Sequence, residues 1–327
     1  MIPKKLQRGD HIRVISPATS LAVITEEQRC IARKRFNELG ISVSFSRHSE
    51  EMNSFGSSTI ESRIEDLHEA FRDSSVNGIL TTLGGFNSNQ LLKYIDFELI
   101  QNNPKILCGY SDITALQTAI YKKTGVVTYS GPHFSTFSMK YGFEYTFEHF
   151  QRVLMQSNEP VSVTPSNEWS DDAWYLDQEN RQFVKNDGWK IIQEGEAEGV
   201  VLGGNLCTLN LLQGTEFFPT LHDIILFIED DYMTIPETFD RDLQSLLHVT
   251  SMEHQISAVV IGRFQQKSGM TMETLREIIH SKKELHDIPV IADVNFGHVS
   301  PIFTFPIGGR ARLKVVDSSI GLTFTTF

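Results

Sequence analysis

The first 130 residues alternate between short apolar stretches and segments that carry apolar residues at helical spacing. The β-branched stretch GILTTL is typical of a strand, and four similar stretches precede or follow it. Strands separated by helical segments of this kind predict right-handed βαβ units and a parallel sheet. The predicted strands of this part are 11–16, 41–45, 78–83, 105–108 and 126–129.

Residues that begin and end helices support this pattern. Thr25 with Gln28, and Ser58 with Glu61, have the spacing of a capping box. Gly40 follows the first helical segment and is placed to end it. The predicted helices run from 25 to 39, from 58 to 71, around 91–95 and from 112 to 123.

The chain changes character after about residue 155. Residues 157–190 are polar and irregular and contain all three tryptophans, which is typical either of packing anchors or of a loop that covers a ligand. From residue 195 onward, apolar strands again dominate. We therefore predict an α/β protein with an N-terminal domain (1–155), a linker and tryptophan-bearing loop (156–194) and a C-terminal domain (195–327). The predicted strands of the last part are 199–202, 224–228, 256–261 and 288–292, and it closes with 307–326, a segment rich in Gly, Val and Phe.

Composition narrows the function classes. The chain has 327 residues, 40% hydrophobic and 21% charged, as in an ordinary globular protein. Its formal charge of −12, with no basic patch, argues against nucleic-acid binding. Three widely spaced cysteines fit neither a disulfide framework nor a zinc ribbon. With no apolar run of membrane-spanning length and no signal-peptide pattern, we expect a cytoplasmic protein that does not enter membranes.

The segment LCGYSDITAL (107–116) allows two interpretations of Ser111. A serine before a helix is a common N-cap. A serine at a strand–turn–helix junction can also be an exposed nucleophile, although the G-x-S-x-G elbow lacks its second glycine here, where Ile113 stands. Ser111 is predicted to follow its strand at the carboxyl edge of the parallel sheet, the edge where ligands bind.

A serine nucleophile needs a base and an acid that orients it. His298 follows an apolar strand on a Gly297 turn, and His133 in SGPHF is its rival. The strand IILFIE ends in the acidic run of Glu229, Asp230 and Asp231, which could be a solvated turn or the source of the orienting acid.

The oxyanion hole needs backbone N–H groups beside the serine. The N–H of Asp112 and those of the Gly85–Phe86 loop are the candidates. Two other classes of function remain open from the residues alone. One is a binding protein without chemistry. The other is a metal hydrolase that would use the side chains of Glu229, Asp231, Asp293 and His298.

Five ordered segments resemble the LD-carboxypeptidase family of serine peptidases (peptidase family S66), and most of all its microcin C immunity branch. The resemblance covers nearly the whole chain, and the residue before the two glycines, Leu83, is an arginine more often in murein-recycling members. The segments are TTLGGFNSNQLL (81–92), LCGYSDITAL (107–116), GVVLGGNLCTLNLLQGTEFFP (199–219), LFIEDD (226–231) and NFGHVSP (295–301).

The resemblance implies a Rossmann-like N-terminal domain, a C-terminal α/β domain with a barrel-like sheet, and an active site between them in a homodimer. It makes Ser111 the nucleophile, Glu229 the acid and His298 the base, without cofactor or metal. Trp174, with Trp169 as the alternative, and Asn87 would contact the substrate. That substrate would be a small peptide or a peptide–nucleotide conjugate, or alternatively a murein tetrapeptide.

Overall fold

The structure, a computed structural model, describes residues 1–156, 159–219, 222–249 and 256–327. In chain order the strands are β1 (His11–Ile15), β2 (Ser42–Phe45), β3 (Gly78–Thr81), β4 (Ile106–Gly109), β5 (Thr128–Ser130), β6 (Val161–Val163), β7 (Glu168–Trp169), β8 (Val184–Lys185), β9 (Lys190–Gln193), β10 (Gly195–Asn205), β11 (Ile224–Glu229), β12 (Ile256–Gly262), β13 (Val290–Val294), β14 (Phe305–Ile307), β15 (Arg310–Val316) and β16 (Ser319–Thr326).

Eight α-helices and six short 3₁₀ helices lie between these strands in the described ranges. The α-helices are α1 (Glu26–Leu39), α2 (Ile60–Arg72), α3 (Phe97–Asn102), α4 (Thr114–Thr124), α5 (Glu144–Leu154), α6 (Leu206–Asn210), α7 (Pro236–Leu247) and α8 (Met272–His280). The 3₁₀ helices are Leu21–Val23, Ser88–Tyr94, Ser111–Ile113, Ser135–Ser138, Gln266–Ser268 and Lys283–Leu285.

Two large sheets organise the molecule. The first has the strand order β14-β5-β4-β3-β1-β2, in which β1 to β5 are parallel and β14 is antiparallel to β5. The second has the order β6-β16-β15-β10-β11-β12-β13-β9, with β10 to β13 parallel. The predicted fold class, a parallel-sheet α/β region followed by a second α/β region, is confirmed.

Strand pairing links the two halves of the chain. β14, from the C-terminal half, completes the edge of the first sheet. β6 and β9, which both come from residues 156–194, pair with β16 and β13 of the second sheet. The division at residues 155 and 195 stays a prediction, and residues 157 and 158 of the predicted loop lie outside the described ranges.

The predicted helix ends can be compared with the structure, which corrects two of the helix predictions. Thr25 and Gln28 form the capping box of α1, and Gly40 ends that helix in the left-handed conformation. Ser58 does not cap α2, because the side chain of Thr59 accepts the N–H of Ser62 instead. The predicted helix around 91–95 is a 3₁₀ helix, Ser88–Tyr94, whose backbone is wound more tightly than that of an α-helix.

The core follows the parallel strands. β3, β4 and β11 are buried along their whole length, as expected for strands covered on both faces. Within the described ranges, no helix is both long and apolar enough to cross a bilayer.

Candidate active site

Ser111 leaves the carboxyl end of β4 in a strained backbone conformation. Its φ is 61°, in the left-handed region that non-glycine residues rarely adopt. Such strain, of order 1–3 kcal/mol, is concentrated at functional sites. The N-cap interpretation of Ser111 is wrong. The cap position of this 3₁₀ turn is Tyr110, and the Ser111 hydroxyl points away from the turn toward another loop.

The structure brings Ser111, His298 and Glu229 together in one line. His298 Nε2 lies 3.0 Å from Ser111 Oγ, and His298 Nδ1 lies 2.7 Å from Glu229 Oε2. Glu229 ends β11 and is 3% exposed, whereas the imidazole of His298 is 19% exposed. Each nitrogen of the imidazole therefore has one partner, which is the arrangement that a general base with an orienting acid requires.

Three glycines leave room for this line. A Cβ on Gly84 would lie 3.0 Å from Ser111 Oγ, and one on Gly262 would lie 2.7 Å from Glu229 Cβ. A Cβ on Gly297 would lie 2.5 Å from Glu229 Oε2, and Gly297 has a φ of 101°. The sequence pattern indicates a turn at the glycine pair 84–85, but it does not show that Gly84 is the one that lies against Ser111.

Burial and the neighbouring carboxylates have opposite effects on the pKa of His298. Burial lowers the pKa of His298. The charge and hydrogen bond of Glu229, with smaller contributions from Asp231 and Asp230, raise it further than burial lowers it, to about 9. The acidic run is therefore not a solvated turn, and its first member is the partner of the imidazole.

The rival histidine, His133, lies behind the site. It is buried, and its Nδ1 lies 2.7 Å from Thr81 Oγ1. Burial, and to a lesser degree the charge of His298, lower the pKa of His133 to about 3, so the ring is neutral. The ring of Tyr110 packs against His133 at 4.3 Å and against His298 at 5.5 Å. No hydrogen bond joins His133 to Ser111 in the described structure.

The loop after β3 passes beside Ser111. Gly85 packs against Ala18 and Thr19, where a Cβ would lie 2.9 Å from each, and the Phe86 side chain is 84% exposed. The buried carboxylate of Asp112 accepts the backbone N–H groups of Asn87 and Ser88. These two amides are thus engaged, whereas those of Gly85 and Phe86 have no acceptor among the described hydrogen bonds.

The two residues expected to touch a substrate have different surroundings. Asn87 is half-buried, and its Oδ1 accepts a hydrogen bond from Arg63 at 3.1 Å. Trp174 is half-buried and meets Tyr175 edge to face at 6.0 Å. Of the other tryptophans, Trp169 lies under the guanidinium of Arg263 at 4.6 Å. The third tryptophan, Trp189, is buried and donates its indole N–H to Asn295 Oδ1, as expected for a packing residue.

The tryptophan-bearing loop is bonded directly to the loop of His298. Ser170 and Ser300 exchange two backbone hydrogen bonds, of 2.7 and 2.8 Å. Arg181 forms an ion pair with Asp172 and also donates to Ser300 Oγ at 3.1 Å. The tryptophan-bearing loop and the loop that carries His298 are therefore held together by direct hydrogen bonds.

The ligand set proposed for a metal hydrolase does not assemble. Asp293 pairs with Arg263 at 3.3 Å. Across the described ranges, no three histidine, cysteine or carboxylate side chains are grouped so that they could hold a metal ion. The geometry supports acid–base chemistry around Ser111 instead.

Comparisons with known proteins identify the family of this chain. The family model for the LD-carboxypeptidase N-terminal domain matches residues 12–131, and that for the C-terminal domain matches residues 198–313. YocD of Bacillus subtilis (strain 168) is 56% identical over 98% of both chains. The microcin C7 self-immunity protein MccF of Escherichia coli is 31% identical over 82% of this chain and 80% of its own.

Solved structures of MccF and of an MccF-like protein share the fold of this chain. An MccF-like protein from Bacillus anthracis str. Ames superposes with a TM-score of 0.98 at 55% identity, over the full length of both chains. MccF itself, in complex with aspartyl sulfamoyl adenosine, superposes with a TM-score of 0.89 at 27% identity, over 100% of this chain and 99% of its own.

Proposed function

Because the chain belongs to the LD-carboxypeptidase family, we propose that it is a serine hydrolase that cleaves a C-terminal amide of small peptides or peptide–nucleotide conjugates. The single observation that carries the proposal is the line of contacts Ser111–His298–Glu229, with distances of 3.0 and 2.7 Å, around a serine in a left-handed conformation. A nucleophile, a base and an orienting acid are the parts that amide hydrolysis needs.

The first half of the reaction forms an acyl-enzyme. With the Nδ1–H of His298 donating to Glu229, Nε2 is free to take the proton of Ser111 Oγ as this oxygen attacks the scissile carbonyl. The negative oxygen that develops would be stabilised by the free N–H groups of Gly85 and Phe86 and by that of Asp112. His298 then gives its proton to the leaving nitrogen, and the bond between carbonyl carbon and nitrogen breaks.

The second half releases the acid. Water takes the place of the leaving group, and His298 removes a proton from it as its oxygen attacks the acyl carbon. Collapse of the second tetrahedral intermediate returns the proton to Ser111 Oγ and frees the carboxylate. No cofactor enters these steps.

The substrate class rests on relatives and on the loop. MccF has been solved with aspartyl sulfamoyl adenosine and with glutamyl sulfamoyl guanosine, and a tryptophan variant of MccF has been solved with adenosine monophosphate. In this chain Trp174 is half-buried on the loop beside the His298 loop. We therefore assign Trp174 to stacking on a nucleobase and Asn87 to contacting the substrate. We further propose that the chain is a cytoplasmic homodimer. Sedimentation of the purified chain would give the mass of the assembly and so test whether it is a dimer.

A substrate panel with a serine variant tests the proposal. We expect wild-type enzyme to hydrolyse an aminoacyl-sulfamoyl adenosine faster than an L,D-linked murein tetrapeptide, and Ser111→Ala to lower kcat by at least ~10³. Ser138→Ala is the matched control, because Ser138 is buried and its hydroxyl only donates to a backbone carbonyl.

Three outcomes would change the conclusion. Full activity of folded Ser111→Ala would remove the serine mechanism. Preference for the tetrapeptide would move the enzyme to cell-wall recycling. No turnover, together with no labelling of Ser111 by a fluorophosphonate probe, would favour a binding protein.

A further inference from the structure

Arg63 is a buried arginine that the proposed chemistry does not use. It lies on α2, is 2% exposed, and its Nη1 donates to the carbonyl of Pro17 and to both oxygens of Asn87, each at 3.1 Å. Nη2 donates to Gln90 at 2.8 Å, and Nε to the carbonyl of Thr59 at 3.3 Å. A buried guanidinium is tolerated only when its donors are used, and here three of the five acceptors belong to residues 87–90, which follow β3.

Asp112 holds the same loop from the other side. Its carboxylate, 2% exposed, accepts the N–H of Asn87 at 3.1 Å and that of Ser88 at 2.9 Å. The hydroxyl of Ser88 donates to the backbone carbonyl of Asp112 at 2.7 Å. The peptide groups on both sides of Asn87 are therefore fixed, the N–H by Asp112 and the carbonyl by Arg63.

The other end of the loop is fixed against the serine. The N–H of Thr19 donates to the carbonyl of Gly84 at 3.2 Å. Gly84 lies so near Ser111 that a Cβ on it would be 3.0 Å from the hydroxyl oxygen. The amides of residues 85 and 86 thus lie between two anchored points, and the side chains of Arg63 and Asp112 together hold the distant one.

We propose that Arg63 is a positioning residue that, together with Asp112, holds the 84–88 loop where its amides meet the oxyanion. This inference rests on the proposed serine mechanism. Removing one oxyanion donor typically lowers kcat by about 10²–10³. A displacement of about 1 Å can cost about 10². Lysine cannot replace the planar fork, because an ammonium cannot reach the same set of acceptors in fixed directions.

The experiment compares Arg63→Lys and Arg63→Met with Arg13→Met in the full chain. Arg13 is a matched control, since it is also largely buried on the first sheet and is held by Ser44 and Asp73, away from the loop. For each variant we would measure kcat, KM, thermal stability and the affinity for an aldehyde analogue of the aminoacyl group. That analogue forms a tetrahedral adduct with a serine and places an oxygen in the oxyanion hole.

We expect kcat to fall about 10²-fold in Arg63→Met and about tenfold in Arg63→Lys, with KM changed less than about threefold. Affinity for the aldehyde should fall by the same factor as kcat, whereas Arg13→Met should lose stability and keep kcat. If the arginine variants do not fold, Gln90→Ala replaces them as the test. This change at an exposed position removes the acceptor of Arg63 Nη2 and should lower kcat at least about threefold.

The inference is overturned if folded Arg63→Lys and Gln90→Ala keep kcat. It is also overturned if aldehyde affinity is unchanged while kcat falls. Failure of the serine mechanism itself has a different signature, namely full activity of Ser111→Ala whatever Arg63 does.

Discussion

The dependence of turnover on pH tests the pairing of His298 with Glu229 most directly. A general base must be neutral to accept a proton, and the pKa of His298 is raised to about 9. At pH 7 only about 1% of such an imidazole is neutral, and this fraction grows tenfold per pH unit. We therefore expect kcat/KM of the free enzyme to rise about tenfold per unit from pH 7 and to level off near pH 9.

Glu229→Gln is the perturbation. It removes the charge that does most to raise the pKa of His298, so that burial, opposed only by Asp230 and Asp231, lowers it toward or below 6.5. The profile of the variant should then be flat between pH 7 and 9. Its plateau should be far lower, because the amide no longer fixes the tautomer. An Asp→Asn change at the corresponding position of a well-studied serine protease lowers kcat about 10⁴-fold.

The same shift has a consequence for stability. A pKa that rises on folding from 6.5 to about 9 stabilises the folded chain by about 3 kcal/mol below pH 6.5. This contribution is lost as the pH rises through 9, because the folded protein then also releases the proton. Urea unfolding at about pH 6 and about pH 9.5 should show the loss in wild type and not in Glu229→Gln.

The assay is kcat/KM measured from about pH 6 to about pH 10 for wild type, Glu229→Gln and Asp231→Asn. Asp231→Asn is the control, since Asp231 contributes less than Glu229 to the raised pKa and should move the inflection only slightly. A wild-type inflection near 6.5 that Glu229→Gln leaves in place would refute the reasoning.

Four further predictions concern the same site. Gly84→Ala should lower kcat by ~10² or more while the protein stays folded, because its methyl group would lie against Ser111, and a circular-dichroism spectrum should match that of wild type. Ser111→Gly should be more stable than Ser111→Ala by about 1 kcal/mol in chemical unfolding, since glycine adopts a φ of 61° without strain. Trp174→Ala should impair turnover of a nucleotide conjugate more than that of a plain peptide, whereas equal losses would mean that the indole only packs. Exhaustive chelation should leave activity intact, whereas a loss of activity that added metal restores would favour a metal hydrolase.

Much of the fold could be predicted because its signals are local. Apolar stretches set β1, β3, β4 and β11, and the capping box at Thr25 set the start of α1. Two features could not be found this way. Strand β14 pairs with β5 across more than 170 residues of chain, which no local pattern encodes. Thr59 caps α2 in place of its neighbour Ser58, because several adjacent side chains could serve and the packing of the helix decides which one does.

The candidate site divides in the same way. His298 and Glu229 could be proposed because Glu229 ends an apolar strand and His298 follows one, and parallel strands bring their carboxyl ends to one edge. The role of Arg63 was not visible, since an arginine inside a helical pattern is usually a solvated residue. Its acceptors are backbone carbonyls and side-chain amides from other loops, and only the folded chain brings them into reach.

The glycines around Ser111, Glu229 and His298 mark places where the backbone comes too close to a side chain for any Cβ, and a sequence pattern does not show such contacts. A Cβ at Gly84, Gly262 or Gly297 would lie at or within 3.0 Å of an atom of Ser111 or Glu229. Of the three, only Gly297 has a φ that other residues avoid. The need for a positive φ in a turn, which is the usual reason to expect a glycine, therefore explains Gly297 alone. The other two are explained by the close approach of backbone to a reactive side chain. The backbone strain at Ser111 belongs with them, because the chain adopts an unfavourable φ at the point where the hydroxyl contacts the imidazole. Gly84 leaves room for that hydroxyl, and Gly262 and Gly297 leave room for the side chain of Glu229.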